Sequence, residues 1–405
     1  MKKFYTLTIL TLALIIHLNA QTWTTITTPS TAGVAQMVVA NNNLYLATRD
    51  GVFSSTDGTI WNNSSTGMTP AAGYYFNENI YNYNNVFYSG TSGSTLYKSV
   101  DFGANWTEIP GAKEQYTSPA FTAVYVKGDT IIIGLSKSLG IRKSYDGGTT
   151  WTSTGSAAGF PEVVSRDIVE LNGAIYVKTL KGIFKSTDMA ASFTQLAGGL
   201  PTFSGSVGAL TVSNGVLIST IYLLGTYISS DEGVTWTQIS TAGGITSSNG
   251  RSLNVEGGKV YLGCASGIIF SSSDNGTTWT DITGTGIGIL DQMSCFATFN
   301  GNLYAGSSNA LYKTPLSTSV SENVQEENTF SIYPNPVNNL LTISNKKEFN
   351  NASIKIYNIT GNLLLEKIID GEKQQTIDMA FLSDGLYIIE VSQNYIISRQ
   401  KVIKK

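Results

Sequence analysis

Residues 271–282 read SSSDNGTTWTDI, and close copies recur along the chain: SSTDGTIW (54–61), KSVDFGANW (98–106), KSYDGGTTW (143–151), KSTDMAASF (185–193) and SSDEGVTW (229–236). The aspartates Asp57, Asp101, Asp146, Asp188, Asp231 and Asp274 are separated by 44, 45, 42, 43 and 43 residues. A turn that returns at so constant an interval marks one supersecondary unit copied along the chain.

The rest of the unit repeats with it. A Thr-rich strand follows the Trp, as in WTEI (106–109), WTQI (236–239) and WTDI (279–282). After a variable loop comes an apolar strand, then a second one: LYLAT (44–48), VFYSG (86–90), IIIGL (131–135), IYVKT (175–179), VLIST (216–220), VYLGC (260–264) and LYAGS (303–307). A short turn leads to a third strand, such as GVFSS (51–55) or GIFKS (182–186), which runs into the acidic turn. Four short strands with turn signals between them are the pattern of a propeller blade. The seventh copy ends in ALYKT (310–314) without acidic turn or Trp, and its missing strand is found at WTTI (23–26). The expected fold is all-β: a seven-bladed β-propeller over residues 21–314, closed by the N-terminal strand so that no sheet edge stays open.

The residue types of the turn point to scaffolding. A carboxylate and a Ser hydroxyl accept backbone N–H groups at a tight turn. Gly supplies positive φ, and an indole is large enough to wedge between blades while its N–H seeks a carbonyl. The structural set is Asp57, Trp61, Asp101, Trp106, Asp146, Trp151, Asp188, Phe193, Asp231, Trp236, Asp274 and Trp279. The first copy is one residue short between Asp57 and Trp61, and the fourth has Ala190 and Phe193 in place of Gly and Trp. These turns resemble the Asp-box, or BNR repeat, of sialidases, sortilin-type receptors, some xyloglucan hydrolases and photosystem II assembly factors. The resemblance implies that the boxes join third and fourth strands on the face opposite the ligand site.

Function is therefore sought among the fourth-to-first loops and second-to-third turns. The ligand-binding candidates there are Arg49, Tyr74, Tyr75, Tyr116, Phe160, Arg166, Tyr222 and Arg251, with Lys137, Lys181 and Phe203 nearby. Asp50, Asp167 and Asp291 are the acids able to act as a glycoside-hydrolysing pair, although solvated loop acids are the plainer reading. An aromatic and polar rim favours binding of an extracellular glycan or protein, with a xyloglucanase-like glycoside hydrolase or a non-catalytic adhesion or structural surface protein as the alternatives. The arginines Arg49, Arg142, Arg166 and Arg251 are the propeller's whole complement, and the Arg-Ile-Pro motif of sialidases is missing.

Several chemistries are excluded by composition. His17 is the chain's one histidine and lies in an apolar N-terminal run behind Lys2 and Lys3, a signal peptide (1–20) with expected cleavage after Ala20. Without histidine, a Ser-His-Asp triad or a His-ligated metal centre cannot form. No metal or cofactor is expected. A net charge of −3 leaves no basic footprint for nucleic acid, and no further stretch is long and apolar enough for a membrane helix. Cys264 and Cys295 can pair across neighbouring blades or remain buried thiols.

Past the repeat, PLSTSVSENVQEEN (315–328) is a polar, acidic linker. Residues 329–405 alternate apolar and polar positions in FSIYPNPVNNLLTI (330–343), IKIYNITGNLLLEKII (354–369), GLYIIEV (385–391) and IISRQKVIKK (396–405). That pattern predicts a small immunoglobulin-like β-sandwich. Tyr333-Pro334-Asn335-Pro336, IYNITG (356–361), Asp384 to Tyr387 and the basic end Lys401 to Lys405 resemble the type A C-terminal sorting domain of the Bacteroidota type IX secretion system. The resemblance implies the secretion machinery as a partner, passage across the outer membrane, removal of the domain, and release or attachment at the surface.

Overall fold

A computed structural model of the chain describes residues 21–30, 33–69, 79–91, 95–112, 121–136, 140–161, 164–202, 208–239, 241–316, 330–345, 348–349, 352–358, 363–393 and 396–405. The chain divides into two compact units, 1–316 and 317–405.

In the first unit, seven four-stranded antiparallel sheets follow one another. Blade 1 spans residues 34–63, blade 2 81–108, blade 3 121–154, blade 4 165–196, blade 5 210–238 and blade 6 250–281. Blade 7 takes three strands from 293–315 and its outermost strand, Thr24–Ile26, from the N-terminus, with Thr24 opposite Lys313 and Ile26 opposite Leu311. Each blade's innermost strand lies against that of the next, and Val34–Ala40 of blade 1 meets Met293–Phe299 of blade 7, so the ring closes. The unit is a seven-bladed β-propeller.

Second strands are the most apolar because blades cover both of their faces. Asn43–Thr48, Thr130–Leu135 and Val216–Ile221 are buried at every position after the first. Such strands read as unbroken apolar runs rather than as alternating ones.

The opening stretch forms a self-satisfied turn. Ser272 Oγ donates to Asp274 Oδ1 at 2.7 Å and accepts the Gly276 N–H at 2.8 Å. Asp274 also accepts the Thr278 N–H at 2.9 Å and the Thr278 hydroxyl at 2.6 Å. Thr150 Oγ1 gives Asp146 the same hydroxyl bond, as do Ser192 Oγ to Asp188 and Thr235 Oγ1 to Asp231. In the shortened first copy, Asp57 Oδ1 accepts the N–H groups of Thr59 and Ile60 at 2.7 and 2.8 Å instead. These bonds favour the charged form: the Thr or Ser hydroxyls hold Asp146, Asp188 and Asp231 at about 2, and two backbone N–H groups hold Asp57 lower still.

The Trp that follows clasps the preceding blade. Trp279 N donates to Gly243 O at 2.8 Å, and a Cβ on Gly244 (φ +94°) would sit 1.9 Å from Trp279 O. The same close approach joins Gly67 to Trp106, Gly159 to Phe193, Gly199 to Trp236 and Gly286 to Trp23. The indole N–H groups of Trp23, Trp106, Trp151, Trp236 and Trp279 reach carbonyls at 2.7–3.2 Å. Trp61, in the shortened copy, has a buried Nε1 without a partner among the described residues.

The second unit holds a three-stranded sheet (Phe330–Tyr333, Leu340–Asn345, Gln374–Asp378) and a four-stranded one (Leu363–Ile369, Ala352–Asn358, Gly385–Gln393, Ile396–Lys404). Leu341, Ile343, Phe349, Ile354, Ile356, Ile389, Val391 and Val402 fill the core between them, a β-sandwich arrangement. Asn335 ties the two ends of this unit together: its Nδ2 donates to Lys401 O at 2.8 Å, and its Oδ1 accepts the Ile403 N–H at 2.9 Å.

Candidate functional site

A cavity of about 940 Å³ opens along the propeller axis, lined by residues from the N-terminal ends of all seven innermost strands. Its construction rests on a repeated irregularity. In blades 1, 3, 4, 6 and 7 the register between first and second strands slips at the second residue of the innermost strand. A β-bulge leaves its extra residue out of the ladder and re-aims that side chain. The bulged residues are Ala35, Thr122, Arg166, Arg251 and Ser294, and all line the cavity. Blades 4 and 6 thus place arginines at equivalent positions, and Arg49 from the second-to-third turn of blade 1 adds a third guanidinium.

Arg251 is held in place. Its guanidinium carbon lies 4.8 Å from the centre of the Tyr222 ring, which is carried by the second-to-third turn of blade 5. A cation over a ring face keeps its N–H edges available, and the Arg251 Nε is buried without a hydrogen-bond partner among the described residues. Arg142 lies elsewhere, donating to the carbonyls of Gly111 and Ala112 at 3.0 Å and packing against Trp151.

Asp167 is the sole acid among the described residues that line the cavity. Its Oδ2 accepts the Leu210 N–H of blade 5 at 3.0 Å. Related stitches run from a hydroxyl to the next blade's carbonyl: Ser252, at the same register position, to Met293 O at 3.0 Å, and the bulged Thr122 and Ser294 to Ser165 O and Val34 O. Desolvation pushes the Asp167 carboxyl up to about 6, against opposing pulls from the Leu210 N–H, Lys178 and Arg166. Lys178, its cross-strand neighbour, is fully buried, and desolvation brings its ammonium down to about 8.

The three candidate acids do not assemble into a pair. Asp291 is 4% exposed and buried in blade 7, accepting from Asn309 Nδ2 at 2.7 Å and from the Tyr312 hydroxyl. Asp50 accepts from Ser30 Oγ at 2.8 Å and is not among the cavity's lining residues. Both carboxylates answer local donors that the sequence pattern did not reveal.

Phe160 also needs correction as a rim residue. It is fully buried, its ring 4.6 Å from Phe193 and 5.3 Å from Phe184. Directly after the clasp glycine Gly159, it occupies the position held by Met68 after Gly67 and Ile245 after Gly244, both buried too. The Gly-apolar pair was legible in each fourth-to-first loop. Tyr74, Tyr75, Tyr116, Phe203 and Lys137 lie outside the described residues. Cys264 and Cys295 are buried free thiols in different core clusters, raised to about 11 and about 12 by desolvation.

Comparison with known proteins fits this geometry. Residues 331–405 match the family described as a secretion system C-terminal sorting domain; the chain carries a type IX sorting domain, which directs export to the cell surface or beyond. YCF48 from Cyanidioschyzon merolae superposes with a TM-score of 0.52 at 13% identity, covering 73% of this chain and 98% of that one. PorZ, a surface component of the type IX secretion system of Porphyromonas gingivalis, gives 0.52 at 14% identity, covering 92% of this chain and 59% of that one. At such identities the likeness is one of fold. A xyloglucanase from Hypocrea jecorina is 38% identical over 92 residues, 21% of this chain and only 9% of that protein. No helix among the described residues is long and apolar enough to cross a membrane.

Proposed function

We propose that this protein is an exported propeller, released or retained at the cell surface, which binds an extracellular polymer, glycan or protein, at the axial cavity. The observation that carries the reading is the convergence of all seven innermost strands on one opening, with cations from blades 1, 4 and 6 at its wall. The acidic turns serve as scaffold: their carboxylates are committed to their own loops. Residues 1–20 act as the signal peptide and the segment following the propeller as a tether to the sorting domain.

A carboxylate-dependent glycoside hydrolase is the second reading, favoured by Asp167, a desolvated acid on the cavity wall. One preparation of the exported protein, screened for binding and for hydrolysis on polysaccharide and peptide arrays, tests both. Binding lost on Thr211→Trp, which fills the cavity from blade 5, supports the first reading. Reducing-sugar release that Asp167→Asn abolishes supports the second, and silence on every array overturns both.

A further inference from the structure

Blade 5 breaks the pattern of its neighbours. Blades 4 and 6 bear bulged arginines at the start of their innermost strands, whereas among the described residues of blade 5 the ladder begins only at Leu210, beyond the arginine position. In place of a long side chain, blade 5 offers Gly208, where a Cβ would lie 2.1 Å from Thr220 O. At this position blade 5 therefore puts backbone, not a long side chain, on the cavity wall between Arg166 and Arg251. The result is a slot between the arginines of blades 4 and 6, walled among the described residues of blade 5 by Gly208, Ala209, Leu210 and Thr211.

The walls add a second chemistry. Thr211 and Gln292 line the same cavity with a hydroxyl and an amide, while the side chains of Gln36, Asn79, Thr122 and Asn254 bond to neighbouring backbone. Such groups donate and accept like the hydroxyls of a sugar, while planar guanidinium forks match an oxyanion. We infer that the slot between Arg166 and Arg251, beside Gly208, binds the carboxylate or sulfate of an acidic polysaccharide chain. Arg251, braced by Tyr222, supplies preorganised donors, and Arg166, exposed at its bulge, closes on the same group. Arg49, across the opening, takes a neighbouring acidic residue of the chain.

The inference deepens the binding function proposed above and rests on it. Its test is isothermal titration of the exported protein with polygalacturonate, dextran sulfate, neutral dextran and a poly-glutamate peptide. The peptide arm is set by Leu223, on the blade 5 turn that carries Tyr222, and Ile289-Leu290, on the loop into blade 7, all exposed apolar side chains. Binding to either acidic polysaccharide is expected, with the better of the two identifying carboxylate or sulfate as the group. Charged hydrogen bonds set the size of the loss: Arg166→Gln and Arg251→Gln should each weaken it roughly 10- to 100-fold. Thr211→Glu, which puts a carboxylate into the cavity while keeping both arginines, should do the same. The charge-matched control Lys98→Gln/Lys259→Gln, at exposed positions outside the cavity lining, should bind as the parent does. Circular dichroism identifies any variant that fails to fold, and Thr211→Glu keeps the test open if an arginine variant does.

Equal weakening by the control would reduce the effect to net charge and overturn the slot. Preference for poly-glutamate would overturn the polysaccharide. Tight binding of neutral dextran, unchanged by the arginine variants, would sink the anion slot while leaving the axial binding function standing. Failure of all four probes to bind would overturn the inference.

Discussion

Each blade has two differently built ends. At the acidic-turn end, one set of bonds is copied through blades 2 to 6: Ser to Asp, Asp to the backbone four residues on, and the Trp or Phe to the loop before its blade. At the cavity end the same structural position holds Ala35, Thr122, Arg166, Arg251 or Ser294 in turn. Sequence repeats where the chain must satisfy itself identically in each blade, and varies where side chains face open space. The repeated end is thus the scaffold, and the irregular end is where a ligand can be read.

The strongest way to break this contrast is to remove a wedge. Trp279→Ala removes a buried indole and its bond to Gly276 O, and should cost about 3–5 kcal/mol in chemical denaturation. Trp61, half-buried and with its Nε1 unpartnered among the described residues, should cost about 1–2 kcal/mol. Equal losses would show that the indole bonds contribute nothing.

Acid should separate the two ends next. The turn carboxylates have lowered pKa values, Asp146, Asp188 and Asp231 at about 2. Protons therefore bind the unfolded chain more readily, so the stabilisation is complete above about pH 4 and lost as pH falls toward 2. Replacing these three by Asn should flatten the melting temperature over that window; an unaltered slope would refute the linkage.

Asp167 should respond in the opposite sense. Its carboxyl is raised to about 6, and protonation removes the one negative charge among the described lining residues, leaving the positive charge of Arg49, Arg166 and Arg251 at the wall. Affinity for a sulfated polymer should rise several-fold between about pH 7 and 5, and Asp167→Asn should abolish the rise. The smallest effect is expected at the thiols: Cys264 and Cys295, both buried, should react with a thiol reagent only after denaturation.

Legibility followed the same division. Blade number, ring closure by residues 23–26 and the order of strands were all readable, because a repeat reports its own period. The arginines were readable as candidates, but their shared bulge was not, since a register slip leaves no mark in composition. Phe160 and Asp291 misled for a related reason: a loop position does not say whether its side chain faces solvent or the neighbouring blade. In the second unit, Tyr333-Pro334-Asn335-Pro336 could be recognised as a motif. That Asn335 fastens the terminal strand through Lys401 and Ile403 is a contact across more than 60 residues.

The sequence by itself determined the seven blades, the self-bonded acidic turns, the absence of histidine beyond the N-terminal run and the presence of a sorting domain. All of these depend on local bonding or on residue identity. Only the tertiary structure decided which acids are tied down, which aromatics are core, and that Arg166 and Arg251 line one cavity on either side of blade 5. Those outcomes depend on where the ring brings distant innermost strands together, and no local pattern encodes that meeting.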